Sequence, residues 1–205
     1  VPDQTVEKLL DKYGQTFAEQ AHITLNDDAS SPSRLLMLCM LQAKPISADR
    51  AVQALLELNK EKLTTPERVC DARRRQFINA FKKAGYSRYD ESSTTYLQKA
   101  AQRVCEEHDG DMRKIRDAKN ITKELQKFEG VGPACADMFA REAQALWPEL
   151  APAIDKKAQQ GAEKLGLPTD PAELAELVNA DELPRFAAAL VRVALDKSDG
   201  DLLES

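Results

Sequence analysis

Residues 121–139 read ITKELQKFEGVGPACADMF, and the positions with chemical consequence are Gly130, Val131 and Gly132. An apolar-periodic helix carrying Ile121, Leu125 and Phe128 runs into the turn Glu129-Gly130-Val131-Gly132-Pro133, and a second helix starts at once. Two glycines around one aliphatic residue let the backbone turn through φ values that other residues resist, and they clear side chains from the turn. Pro133 suits the first helical position, where its missing N–H is an orphan in any case. The free N–H groups of that helix start, Ala134 among them, then face outward, where a phosphate oxygen can take them. A tight αα-corner that only packs uses the same residues, so the motif alone leaves both readings open.

Downstream come Trp147-Pro148 and then APAIDKKAQQG at 151–161. Asp155 stands at a helix start after an apolar lead-in, where capping is a sufficient role by itself. Lys156 and Lys157 follow it, and they either touch a phosphate backbone or form a solvated helix face.

The elements that must position these residues all read as helix. Val6, Leu9, Leu10, Tyr13 and Phe17 recur at helical spacing, and a polar stretch at 26–33 precedes a buried helix over 34–42. Ser47 caps the next helix, Pro66 opens a short one through Val69, and the basic run 73–84 stops at Gly85. A long helix from Asp90 to His108 closes at Asp109-Gly110. After the hairpin come a helix over 156–165 and two more starting at Asp170-Pro171 and Asp181. No segment alternates as a strand would. The reading is an all-α fold of two lobes with a groove between them. Residues 1–33 and 134–205 make a terminal-helix lobe, and 34–133 a central lobe that runs into the helix-hairpin-helix at 121–147.

Composition narrows the classes. No run of 18 apolar residues exists, and VPDQTVEKLL reads as a polar helix start rather than a secretion signal, so a cytoplasmic protein is expected. Cys39, Cys70, Cys105 and Cys135 are scattered singly, which points to reduced, buried thiols. With two histidines, His22 and His108, no metal site is assigned to side chains. The net charge of −5 is unlike the basic domains usual in nucleic-acid binding. Its distribution is uneven, however. Residues 72–127 hold 14 Lys+Arg against 8 Asp+Glu, and 166–205 hold 3 against 9. That leaves room for a basic surface opposite an acidic face.

The helix–GVG–helix unit resembles the helix-hairpin-helix of base-excision DNA glycosylases. GVGPACADMF at 130–139 is similar to the 3-methyladenine glycosylase branch of that superfamily, and DKKAQQG at 155–161 to its catalytic Asp with a glycine six residues on. LLMLCMLQAKPISADRAVQAL at 35–55 and AGYSRYDESSTTYLQKAA at 84–101 resemble the superfamily's paired helices and the segment before its hairpin. The matches run from about 35 to 165. Ala134 departs from the lysine of bifunctional members and from the aromatic of alkylation-repair relatives. Glu129 departs from a frequent proline. The scattered cysteines lack the closely spaced four that bind an iron–sulfur cluster in many relatives.

The resemblance implies a monomeric, monofunctional DNA glycosylase acting on duplex DNA that contains a damaged base, alkylated bases being among the candidates. Asp155 would be the catalytic carboxylate, Gln42 a wedge filling the gap left by the flipped base, and the 130–134 turn the phosphate site. No cofactor is implied, save a structural monovalent cation at the hairpin carbonyls. The residues also admit a non-catalytic helix-hairpin-helix DNA-binding or damage-sensing protein, and a helical protein-interaction domain.

Overall fold

Helix starts follow the capping chemistry written in the sequence. The structure, a computed structural model, describes residues 2–198 and 200–204. Among these there are twelve α-helices and no strand. They are α1 (Pro2–Tyr13), α2 (Phe17–Gln20), α3 (Ser31–Gln42), α4 (Ala48–Lys60), α5 (Pro66–Asp71), α6 (Arg74–Lys83), α7 (Asp90–His108), α8 (Ile121–Leu125), α9 (Pro133–Ala143), α10 (Lys156–Lys164), α11 (Pro171–Ala175) and α12 (Leu183–Leu195). Ser47 accepts the Arg50 N–H at 3.2 Å before α4, Asn120 that of Lys123 at 3.1 Å before α8, and Asp170 that of Glu173 at 3.1 Å before α11. Each satisfies one orphan donor of a first turn. Among the described residues no helix is long and apolar enough to cross a membrane.

Three local details differ from the sequence reading. α3 begins at Ser31 rather than 34, because Asp28 Oδ1 accepts the N–H groups of Ser30 (3.1 Å) and Ser31 (2.7 Å), and Pro32 fits the first turn. Asp181 lies in a 3₁₀ turn, Ala180–Glu182, and α12 starts only at Leu183. The 3₁₀ turn Met112–Asp117 has too few residues for a periodic signal.

By its contacts the chain divides into residues 18–139 and residues 1–17 with 140–205. In the first unit, Leu35 to Leu41 of α3 are all buried, with α4 and α7 packed against that helix. Residues 26–31 belong to this unit through Arg113, which donates to the Asp27 carbonyl at 3.1 Å. Tyr86 is fully buried, and its hydroxyl shares a 2.8 Å hydrogen bond with Ser93. It packs in the core and offers no stacking face to a base.

The cysteines are less solitary than their sequence spacing. Cys39 and Cys135 are buried, as expected, but Cys70 on α5 and Cys105 on α7 stand 4.0 Å apart, sulfur to sulfur, and half-buried. Burial, the neighbouring Cys105, and the carboxylates of Asp71 and Glu67 push the Cys70 thiol up to about 12. A thiol so protonated is a poor nucleophile at neutral pH. Iodoacetamide at pH 7.5 should therefore label Cys70 and Cys105 far more slowly than an unfolded control, read by intact mass. Equal rates would contradict this account of their surroundings.

In the second unit α12 is the centre, packed by α10 and α1. Gly161 of α10 makes the closest approach: a Cβ there would lie 1.8 Å from the Leu190 carbonyl oxygen of α12. Arg185 and Arg192 of α12 donate to the carbonyls of Gly14 (2.7 Å) and Gln15 (3.0 Å), closing off α1. Tyr13 donates its hydroxyl to Asp196 at 2.6 Å, and Asp196 also accepts from the Ser198 N–H and hydroxyl.

That cluster sets a pH window. Hydrogen bonds from Ser198 and Tyr13 hold Asp196 down at about 2, so its contribution is present above an ordinary carboxylate pKa and lost as pH falls toward 2. Burial, with Asp196 adding to it, pushes Tyr13 up to about 12, so its part is present below pH 10 and lost as pH rises toward 12. Tyr13→Phe should narrow the stability difference from wild type at both extremes. A wild-type minus variant melting difference that is flat from pH 3 to 11 would refute the linkage.

Candidate nucleic-acid interface and acidic site

The hairpin joins α8 to α9 through residues 126–132. Sequence reasoning assigned Gly130 and Gly132 the same conformational need, and the structure separates them. Gly130 has φ +87°, and the Tyr96 ring occupies the side where a Cβ would go, 2.7 Å from its Cγ. Gly132 has no positive φ, and no atom lies within 4 Å of its would-be Cβ. The first glycine makes the turn, and the second leaves an open surface. Val131 is buried, and its N–H is taken by the Phe128 carbonyl at 3.1 Å.

The first helical bond of α9 runs from the Ala136 N–H to the Gly132 carbonyl at 3.1 Å. The N–H groups of Gly132, Ala134 and Cys135 take no acceptor among the described residues, and Gly132 and Ala134 are exposed. Exposed orphan donors at a helix start are an anion site in waiting. Glu129, beside the turn, does not confront that site as a lone charge. Its carboxylate accepts from the Lys99 ammonium at 2.9 and 3.0 Å.

The two glycines should respond differently to substitution. Gly132→Ala meets open space and should melt within about 0.5 kcal/mol of wild type. Gly130→Ala must hold a left-handed φ and displace Tyr96, which costs about 1–2 kcal/mol from the backbone alone. Thermal melts of the two variants compare them, and equal losses would show that Gly132 also carries conformational strain.

Gln42 is the last residue of α3. It is half-buried, and its Nε2 is turned inward, without a hydrogen-bond partner among the described residues. A wedge role requires that side chain to rotate outward.

Asp155 is the N-cap of α10, and its Oδ1 accepts the Ala158 N–H at 3.1 Å. Sequence reasoning missed its second partner. Arg141 donates Nη1 to Asp155 Oδ2 at 2.8 Å, with 3% of the arginine side chain and 12% of the aspartate exposed. The guanidinium also lies over the Phe17 ring, 5.2 Å from its centroid. Phe17 is thus spent on packing. Glu142 is buried beside this pair, its Oε2 3.9 Å from Arg141 Nε, too long for a hydrogen bond. Arg192 lies over the same Phe17 ring, 4.1 Å from its centroid, so two guanidinium groups and two carboxyl groups share this neighbourhood.

The loop that delivers Asp155 is latched independently. Gln144 donates to the Ala153 carbonyl at 3.0 Å, and its amide oxygen accepts the Ala153 N–H at 2.9 Å. Asp155 is therefore held from three directions. Lys156 and Lys157, next along α10, are exposed. The only hint of Arg141 in the sequence is an Arg-Glu pair inside the alanine-rich stretch FAREAQA, where a solvated face is the ordinary reading.

No protein-family model matches the sequence, and no curated protein sequence matches it. Solved structures do. A non-covalent endonuclease III–DNA complex aligns at 14% identity over 93% of this chain and 84% of that one, with a TM-score of 0.58. A trapped endonuclease III–DNA covalent intermediate, an estranged-adenine complex, aligns at 16% identity over 92% and 84%, with a TM-score of 0.53. At such identities the likeness is one of fold. The chain has the all-helical endonuclease III fold.

Proposed function

We propose that this protein is a monofunctional DNA glycosylase of base-excision repair, acting on a damaged, alkylated base flipped from duplex DNA. The observation that carries this reading is the GVG turn, whose open Gly132 and exposed orphan N–H groups occur in a chain with the endonuclease III fold. In this reading the turn takes a DNA phosphate through backbone donors.

Asp155 supplies the chemistry. Breaking the bond between base and sugar builds positive charge on C1′ and its ring oxygen, and a fixed carboxylate opposes that charge. A water then adds its oxygen to C1′, its proton passing to the carboxylate or to solvent. A cationic alkylated purine leaves as a neutral base and needs no strong acid. Arg141 and Gln144 keep Asp155 in place without reorganisation during the reaction, while Glu142 offsets the charge of Arg141. Gln42 fills the vacated stack, and Lys156 and Lys157 contact phosphates. With Ala134 where bifunctional relatives carry a lysine, no Schiff base forms at that position, and the product is an abasic site in an unbroken strand.

A second reading has its own support. Both Asp155 oxygens already hold intramolecular partners, as a purely structural N-cap and ion pair would. That favours a damage-sensing DNA-binding protein without catalysis. Duplexes carrying alkylated, deaminated or oxidised bases, incubated with the protein and heated in alkali, decide between the two. Strand breaks appearing only after alkali, with no borohydride-trapped adduct, are expected. Binding without any alkali-labile site would leave the sensor.

A further inference from the structure

Several cations of the 18–139 unit are neutralised by a carboxylate, among them Lys99 on Glu129, Arg74 on Glu91 and Arg103 on Glu107. Lys44 and Arg88 are held by rings instead. Neither makes an ion pair among the described residues. The Lys44 ammonium lies 5.2 Å from the Tyr96 centroid and 5.8 Å from that of Tyr89, and the Arg88 guanidinium lies 5.4 Å from that of Tyr89.

A ring face holds a cation in position while leaving its charge uncancelled. Tyr96 is also the ring packed against Gly130 of the hairpin. One contiguous chain of contacts therefore joins the turn to both cations: Gly130, Tyr96, Lys44, Tyr89, Arg88. Lys44 lies two residues beyond Gln42, at the end of α3.

We propose that Lys44 and Arg88, seated on Tyr89 and Tyr96, form a second phosphodiester anchor beside the GVG turn, gripping neighbouring phosphates of the bound nucleic acid. This rests on the reading that the turn binds DNA, and it adds residues that the turn motif does not include. The two anchors divide the work. The hairpin offers neutral backbone donors whose strength is geometric, whereas the tyrosine-held cations supply counter-charge beside it. Arginine and lysine both serve such contacts, because a phosphate oxygen accepts from either.

The test is salt-dependent binding of a fluorescein-labelled duplex bearing a tetrahydrofuran abasic analogue. Each lost cation–phosphate contact should lower the slope of log affinity against log salt by about 0.9, which is about eightfold at 0.1 M salt. Lys44→Gln and Arg88→Gln should each show that loss, Lys44→Arg should retain most of the slope, and Tyr96→Phe should match wild type because the ring remains. Gly132→Ala is run beside them as a probe of the turn alone. If Gly132→Ala weakens binding while both glutamine variants keep the wild-type slope, the second anchor is refuted and the hairpin reading stands. If none of the three changes affinity, or wild type does not bind the duplex, the reading beneath it falls as well.

Discussion

Asp155→Asn should lower single-turnover base release by about 10² to 10³, the usual cost of removing one electrostatic stabiliser of a transition state. The structure adds a second consequence. Arg141 is almost wholly buried, and with its 2.8 Å partner neutralised it keeps only Glu142, 3.9 Å away, as a counter-charge. Breaking a buried pair from one side typically costs about 3–5 kcal/mol, somewhat less here because asparagine keeps an acceptor oxygen. A slow variant could therefore be slow because it is unstable. The triple variant Arg141→Met/Glu142→Gln/Asp155→Asn removes the guanidinium together with both carboxylates and should recover much of the melting temperature with no recovery of rate. Recovery of both together would mean that Asp155 serves the fold and not the reaction.

Gly161→Ala should be the most destabilising single methyl in the protein. A Cβ 1.8 Å from the Leu190 oxygen cannot be absorbed by a rotamer change, because the obstacle is backbone. α10 must move off α12, and overpacking of this kind costs about 3 kcal/mol or more. For a chain of this size the melting temperature should fall by about 6–12 °C. The same displacement shifts the N-cap of α10, which is Asp155, so activity should fall even at temperatures where the variant is folded. A variant melting like wild type would show that the two helices slide apart freely. The contact also gives a physical reason for a glycine six residues after the aspartate, a spacing the sequence displays without explaining.

What could be read in advance was what local chemistry dictates. Ser47, Asp155 and Asp170 announced their helices because a short polar side chain before an apolar-periodic run has one efficient use. The hairpin was legible for the same reason, as glycine and proline constrain the backbone directly. The part of the site that was not legible depends on partners distant in sequence. Arg141 meets Asp155 across 14 residues, and Cys70 meets Cys105 across 35. Nothing in a helical period marks which charged residue turns inward. Tyr86 and Phe17 are core, which the sequence alone does not decide because an aromatic residue reads alike on either side of a surface. The different duties of Gly130 and Gly132 likewise depend on where Tyr96 lies, which the turn sequence does not contain.

The central claim is base excision, and its most direct measurement is the released base itself. A duplex treated with dimethyl sulfate carries cationic N-methylated purines. Incubated with excess wild-type protein, it should release free methylated base, identified by chromatography and mass, in step with the appearance of alkali-labile sites and with the strand otherwise intact. Tight binding to that duplex with no free base above the protein-free control would contradict the account.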